Sequence, residues 1–142
     1  MKQTGYHLEF SETINLEEEN ILVNGQNEEA FKAKQVTPIR YFGVFIKDAE
    51  NKVIGGITGS TYFGCLYVDT LWVREELRHQ GLGTKLMAAA EKIGKERGCL
   101  FAALNTMDWE AGPFYKKLGY EVDFIRHGFE KDSRMYFLIK KI

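Results

Sequence analysis

Between Tyr41 and Val73, three apolar runs of strand length succeed one another with only short turns between them. Tyr41-Phe42-Gly43-Val44-Phe45-Ile46 is the first, the glycine-rich residues 53–62 are the second, and residues 65–73 are the third. Asp48-Ala49-Glu50-Asn51 and Gly64 supply turn chemistry at the two junctions. Connections this short cannot carry a crossover, so the runs predict an antiparallel meander. The next segment reads as a helix: Leu82, Leu86, Ala89, Ala90 and Ile93 recur at three- to four-residue spacing, with Lys85, Glu91, Lys92 and Lys95 between them. Arg97-Gly98 reads as a basic last turn and a glycine stop. Residues 100–104 predict a short buried strand. Pro113 suits the first turn of a helix that Gly119 ends, and residues 120–125 and 135–139 predict two final strands. Meander, helix, strand, helix, hairpin is an α+β order, with a mixed, largely antiparallel central sheet flanked by helices.

Upstream of the meander the pattern is weaker. Tyr6-His7-Leu8-Glu9-Phe10 alternates with period two and predicts an edge strand. Asn15, succeeded by Glu17-Glu18-Glu19, predicts a capped helix with an acidic first turn. Asn24-Gly25 is expected to break that helix, with a second helical stretch over residues 26–35 before Thr37-Pro38 closes the region.

The chain has 142 residues, the size of one domain. Its 19 basic and 20 acidic residues leave a net charge of −1, without the basic surplus that phosphate-backbone binding requires, so nucleic acid is not an expected partner. No apolar run reaches the ~18–20 residues of a membrane span, and the first five residues lack a signal peptide's apolar stretch. No membrane association and a cytoplasmic location are the expectations. Cys65 and Cys99 sit far apart among apolar neighbours and are expected as reduced core thiols. His7, His79 and His127 are scattered, so no metal is expected.

The sharpest local string is Arg78-His79-Gln80-Gly81-Leu82-Gly83-Thr84, set between the third strand and the long helix. Glycines there let backbone N–H groups approach a ligand, and the helix terminus adds unpaired donors and a positive dipole end. The string fits a phosphate or pyrophosphate seat. It equally fits a glycine turn entering a helix.

With this loop, the strand end Asp69-Thr70-Leu71-Trp72-Val73 and the string Ala111-Gly112-Pro113-Phe114-Tyr115-Lys116-Lys117-Leu118-Gly119-Tyr120, the chain resembles the GNAT superfamily of N-acetyltransferases over about residues 39–140. The resemblance implies one acetyltransferase domain over residues 1–142. Residues 39–142 would be the acetyl-CoA-binding core and residues 1–38 a variable, acceptor-side region. It implies acetyl-CoA as cosubstrate. Arg78, His79, Gln80, Gly81, Leu82, Gly83 and Thr84 would hold the pyrophosphate through main-chain amides. Leu71, Trp72 and Val73 would run beside the pantetheine arm next to a bulge, and Tyr115 would face the thioester sulfur. Many relatives carry an asparagine where this chain has Asp108, a departure that bears on cofactor contact.

The chemistry sets its own requirements. An amine with a pKa near 10.4 must lose a proton before it attacks, which costs ~4.6 kcal/mol at neutral pH. A carboxylate can take that proton. Asp69, an acid inside an apolar run, is the first candidate and Glu110 the second; the alternatives are a structural carboxylate and a capping or exposed acid. A backbone N–H near Trp72 or Val73 is a candidate oxyanion donor. Tyr115 is the candidate acid for the departing thiolate, its ring expected to point off the core stripe of Phe114 and Leu118 into a cleft. Trp72 and Trp109 are expected in the core, with the acceptor pocket as the alternative. The acids at 17–19, 28 and 29 read as a solvated face, or as a rim attracting cations such as polyamines, aminoglycosides or lysine side chains. The expected activity is direct acetyl transfer to a primary amine on a small molecule or peptide, and a homodimer is left open. The rivals are an acetyl-CoA-binding sensor without turnover and an interaction protein with a decayed site.

Overall fold

A computed structural model describes residues 5–142, which fall into two compact units, the first ending at Gln35 and the second spanning Val36–Ile142. In the first, residues 5–10 form no regular element, contrary to the predicted strand. Alternation creates a face but not a partner, and a strand exists only through its ladder. One helix, α1 (Leu16–Lys34), fills the rest. Asn15 caps it as expected, its Oδ1 accepting from Glu18 N at 3.1 Å. Asn24-Gly25 does not break it. A helix-interior glycine costs only about 1 kcal/mol against alanine, which a capped 19-residue helix absorbs.

The second unit is a six-stranded sheet: β1 (Arg40–Lys47), β2 (Val53–Tyr62), β3 (Cys65–Val73), β4 (Phe101–Met107), β5 (Glu121–Phe129) and β6 (Ser133–Lys141), in the order β1-β2-β3-β4-β6-β5. β1 to β3 form the antiparallel meander the turns predict. Asp48 Oδ1 closes its first turn by accepting from Glu50 N and Lys52 N. α2 (Leu82–Glu96) then crosses over, so β3 and β4 run parallel, while β4, β6 and β5 are antiparallel. α2 lays Leu86, Met87, Ala90 and Gly94 on the sheet. A Cβ at Gly94 would lie 3.1 Å from Leu66, so the glycine sets how closely the helix approaches. Ile57, Leu66, Met87, Leu104, Tyr120 and Leu138 are the largest fully buried side chains.

Two irregularities shape the site. The β2–β3 register shifts so that Thr58 faces Thr70 and Gly59 faces Val68, leaving Asp69 as an extra residue, a bulge. Gly59 makes room for it: a Cβ there would collide with the Tyr67 carbonyl oxygen. The second is a splay. β3 pairs with β4 only over Cys65–Val68 and Phe101–Leu104, while β4 continues against β6 as far as Met107. That continuation carries β4 three residues beyond its predicted end. Past Val68 and Leu104, the two central strands part.

Candidate active site

The loop after β3 turns back through Glu75–Leu77, a short 3₁₀ turn. Arg78 Nε donates to the Val73 carbonyl at 2.9 Å, pinning the loop to the strand end. His79 and Gly81 then adopt positive φ, +61° and +78°. Glycine takes that conformation without strain, and Gly81 is the N-cap of α2. Among the described residues, no side chain caps this helix and no acid stands in its first turn. α1 has both. The amides of Leu82, Gly83 and Thr84 have no carbonyl one turn earlier to bond. They open on a groove of about 570 Å³, lined also by Leu71, Trp72, Val73, Arg78 and His79, with Ala111 and Phe114 of the α3 region opposite. Gln80 is outside that lining; its Nε2 reaches back to the Glu76 carbonyl at 3.5 Å.

The splay between β3 and β4 opens a second cavity of about 190 Å³, adjoining the groove through Leu71 and Ala111. Asp69, Asn105, Glu110 and Tyr115 line it. Asp69 in turn borders a third cavity, of about 480 Å³, over β1 to β3. Groove, splay and outer cavity thus form a series, with the candidate catalytic side chains in the middle.

Several expectations change here. Asp69 is exposed, not buried among apolar residues: alternation from the buried Leu66 and Val68 puts it on the outer face with Tyr67. The bulge itself lies at Asp69, two residues before Leu71, and the edge of β3 beyond Val68 has no pairing with β4. Trp72 and Trp109 are 50% and 68% exposed, so neither is a core tryptophan; Trp72 lines the groove. Tyr115 sits on α3 (Gly112–Lys117), started by Pro113 as expected, yet it is buried. Its ring packs between Phe114 at 5.1 Å and Tyr120 at 6.0 Å, both edge-to-face. Only part of it reaches the cavity, because a one-turn helix against the sheet turns that side inward. Burial first, then the charge of Glu110, pushes its hydroxyl up to about 12.

Glu110 Oε1 accepts from Met107 N at 2.7 Å, so it closes the turn before α3 as well as lining the cavity. Asp108 faces elsewhere: Oδ2 accepts from Arg134 N at 3.3 Å and pairs with its guanidinium at 3.7 Å. Behind Tyr115, the Tyr120 hydroxyl donates to Glu91 at 2.9 Å, and Lys140 pairs with the same carboxylate at 2.8 Å. Nothing in the sequence motifs marks Tyr67, although alternation along β3 places it on the face opposite Leu66 and Val68. Its hydroxyl accepts from Asn105 Nδ2 at 3.2 Å.

Cys65 and Cys99 are buried free thiols, each raised by burial, and neither lines the groove or the central cavity. Among the described residues, no group of His, Cys, Asp and Glu is placed to hold a metal, and no helix is long and apolar enough to cross a membrane.

The fold agrees with that of solved acetyltransferase structures. The profile of the Acetyltransferase (GNAT) family matches residues 9–120, and the chain belongs to that family. It is 40% identical over 81 residues to an acetyltransferase of Agrobacterium fabrum, spanning 57% of this chain but only 59% of that protein. It is 31% identical over 107 residues to the blasticidin-S acetyltransferase of Streptomyces morookaense, 70% of this chain and 79% of that one. The structure of an acetyltransferase from Bacillus cereus superposes with a TM-score of 0.75 at 30% identity, over 94% of this chain and 98% of that one. An aminoglycoside 6′-N-acetyltransferase complexed with coenzyme A shares the fold, with a TM-score of 0.63 at 21% identity over 71% and 72% of the two chains.

Proposed function

We propose that this protein moves an acetyl group from acetyl-CoA to a primary amine by direct transfer. The observation that carries this reading is the series of cavities: an uncapped helix terminus on a groove that leads to a splay holding Tyr115, Glu110 and Asp69. The amides of residues 81–84 are donors with a positive dipole end behind them, suited to a pyrophosphate. Leu71 and Val73 present the free edge of β3 to the length of the groove, where a pantetheine arm lies in this reading.

In the reaction the amine nitrogen attacks the thioester carbonyl carbon. The new C–N bond forms, the C–S bond breaks, the amine's surplus proton passes to a base, and the thiolate leaves to be protonated. Asp69 is the preferred base because it borders both the splay and the outer cavity. Glu110 is second because one of its oxygens already holds the Met107 amide. Tyr115 stabilises the leaving sulfur by donating a hydrogen bond. With its hydroxyl at about 12 and an ordinary thiol near 8.5, complete proton transfer is uphill by roughly 5 kcal/mol, so solvent completes the protonation. No acyl-enzyme is needed, since neither cysteine lines the cavity.

The test is thiol release from acetyl-CoA with a panel of amines, beside calorimetric binding. Tyr115→Phe is expected to lower kcat by ~10²–10³-fold, the worth of one donor aimed at developing charge, with acetyl-CoA affinity unchanged. Binding without thiol release for any amine would instead identify a sensor. Loss of binding with kcat intact would make Tyr115 a cofactor contact.

A further inference from the structure

The outer cavity over β1 to β3 has a composition of its own. Among the described residues, its lining holds the aromatic Tyr41, Phe42 and Tyr67 and the hydroxyl-bearing Thr58 and Ser60, and Asp69 is the one charged residue. The Asp69 bulge, made possible by Gly59, brings that carboxylate to the inner end of the cavity, where the splay begins. Tyr41 stands on the edge strand and is half exposed. Tyr67 is half-buried, with its hydroxyl oxygen engaged by Asn105 and its own proton still available to a ligand. Burial, then the charge of Asp69, raises the Tyr67 hydroxyl, as befits a ring beside that carboxylate.

We infer that this cavity selects a singly charged arylalkyl amine: a primary ammonium on a short chain that carries a flat aromatic or heteroaromatic body. This rests on the acetyltransferase reading and names the class of its acceptor. One carboxylate matches one ammonium. A polyamine or aminoglycoside would bring several charges to a lining with a single acid and leave the rest uncompensated. The tyrosine faces offer an aromatic body edge-to-face or stacked contact, and offer the incoming cation a favourable quadrupole. A bare alkyl ammonium, such as a lysine side chain, uses the carboxylate but not the rings. About 480 Å³ is within the range of small-molecule sites.

The experiment measures kcat/KM, by thiol release, for phenethylamine, n-butylamine, spermidine, kanamycin and a lysine peptide. Phenethylamine is expected to exceed n-butylamine by about 3- to 30-fold, the range that one ring contact with a cation or aromatic body provides. Spermidine, kanamycin and the peptide are expected to rank below phenethylamine. Tyr41→Leu keeps an apolar edge-strand residue without a π face and should shrink the phenethylamine-to-butylamine ratio toward one, while acetyl-CoA affinity stays the same. A polycation or the peptide ranking first, or a ratio unmoved by Tyr41→Leu and Tyr67→Leu, would overturn the inference and leave the acetyltransferase intact. Absence of thiol release with every amine would sink the acetyltransferase reading itself.

Discussion

A Cβ at Gly81 would meet nothing within 4 Å, whereas one at Gly83 would stand 3.2 Å from the Phe114 ring. The two glycines of one loop therefore serve different ends. Gly81 has a positive φ, so a β-branched residue there strains the turn that aims the amides, yet strikes no neighbour. Gly81→Val is expected to abolish the rise in melting temperature that acetyl-CoA gives by mass action, while the unliganded protein loses only ~1–3 kcal/mol. Gly83→Val presses on Phe114 and should lower the unliganded melting temperature further than Gly81→Val does, a difference that differential scanning fluorimetry would read. Asp69 makes the second residue-scale prediction. Asp69→Asn should reduce turnover most at low pH, where the acceptor amine is protonated. The deficit should shrink as the assay approaches the amine's own pKa. A pH–rate profile parallel to that of the unsubstituted enzyme would pass the base role to Glu110 or water.

Among elements, β2 shows how closely backbones approach when side chains are withheld. Gly59→Ala drives a methyl into the Tyr67 carbonyl, a backbone atom that cannot turn aside. It is expected to destabilise the protein by ~1–3 kcal/mol, as overpacking does, and to displace the Asp69 bulge, so that kcat falls further than stability alone explains. Denaturant melts with activity assays on the remaining folded fraction would show both effects. In α1 the sign reverses: Gly25 lies mid-helix with nothing within 4 Å, so Gly25→Ala should add helicity and about 0.5–1 kcal/mol, read by far-UV circular dichroism. The meander, α2 and the α3 start are legible in the sequence because turn residues and apolar period are local signals. Asn24-Gly25 misleads because a break is a competition that the flanking helix formers win. The bulge is hidden because an extra residue shows only against its partner strand, whereas the exposure of Asp69 follows from alternation with Leu66 and Val68 once the run is read as having one buried face. The burial of Tyr115 is hidden for a similar reason, since it depends on how its ring packs between Phe114 and Tyr120. The glycine loop can be read in sequence, but the third cavity cannot: Tyr41, Ser60 and Tyr67 come from three strands and meet only in the sheet.

At the scale of the whole molecule, several buried acids are held protonated. Tyr115 is raised to about 12, and Tyr120 is raised further by burial and by Glu91. Cys65 and Cys99 are raised by burial too. In the unfolded chain these groups ionise near their ordinary values, at lower pH than in the fold. Above those values the unfolded state binds fewer protons than the folded state, so stability must fall with rising pH. The stability is fully present below about pH 8 and is lost as pH climbs through about 9 to 12, by up to about 1.4 kcal/mol per pH unit for each group. Urea melts from pH 8 to 11 would measure the slope, and Tyr120→Phe should make it shallower. The splay also bears on how the chain folds. Between the meander and the β4–β6–β5 half, the direct strand pairing is the four-residue match of Cys65–Val68 with Phe101–Leu104. β1 to β3 and the β5–β6 pair are hairpins, but this match and the β4–β6 ladder, which runs from Met107 opposite Met135 to Phe101 opposite Lys141, are both non-local and carry a loop-closure cost. Both should therefore form after the hairpins, so that the cavity between β3 and β4 is among the later features to exist as the chain folds. Amide exchange at residues 65–68 and 101–104 would then time the birth of the site, and a protein melted only at that seam would keep most of its secondary structure while having nowhere to bring donor and acceptor together.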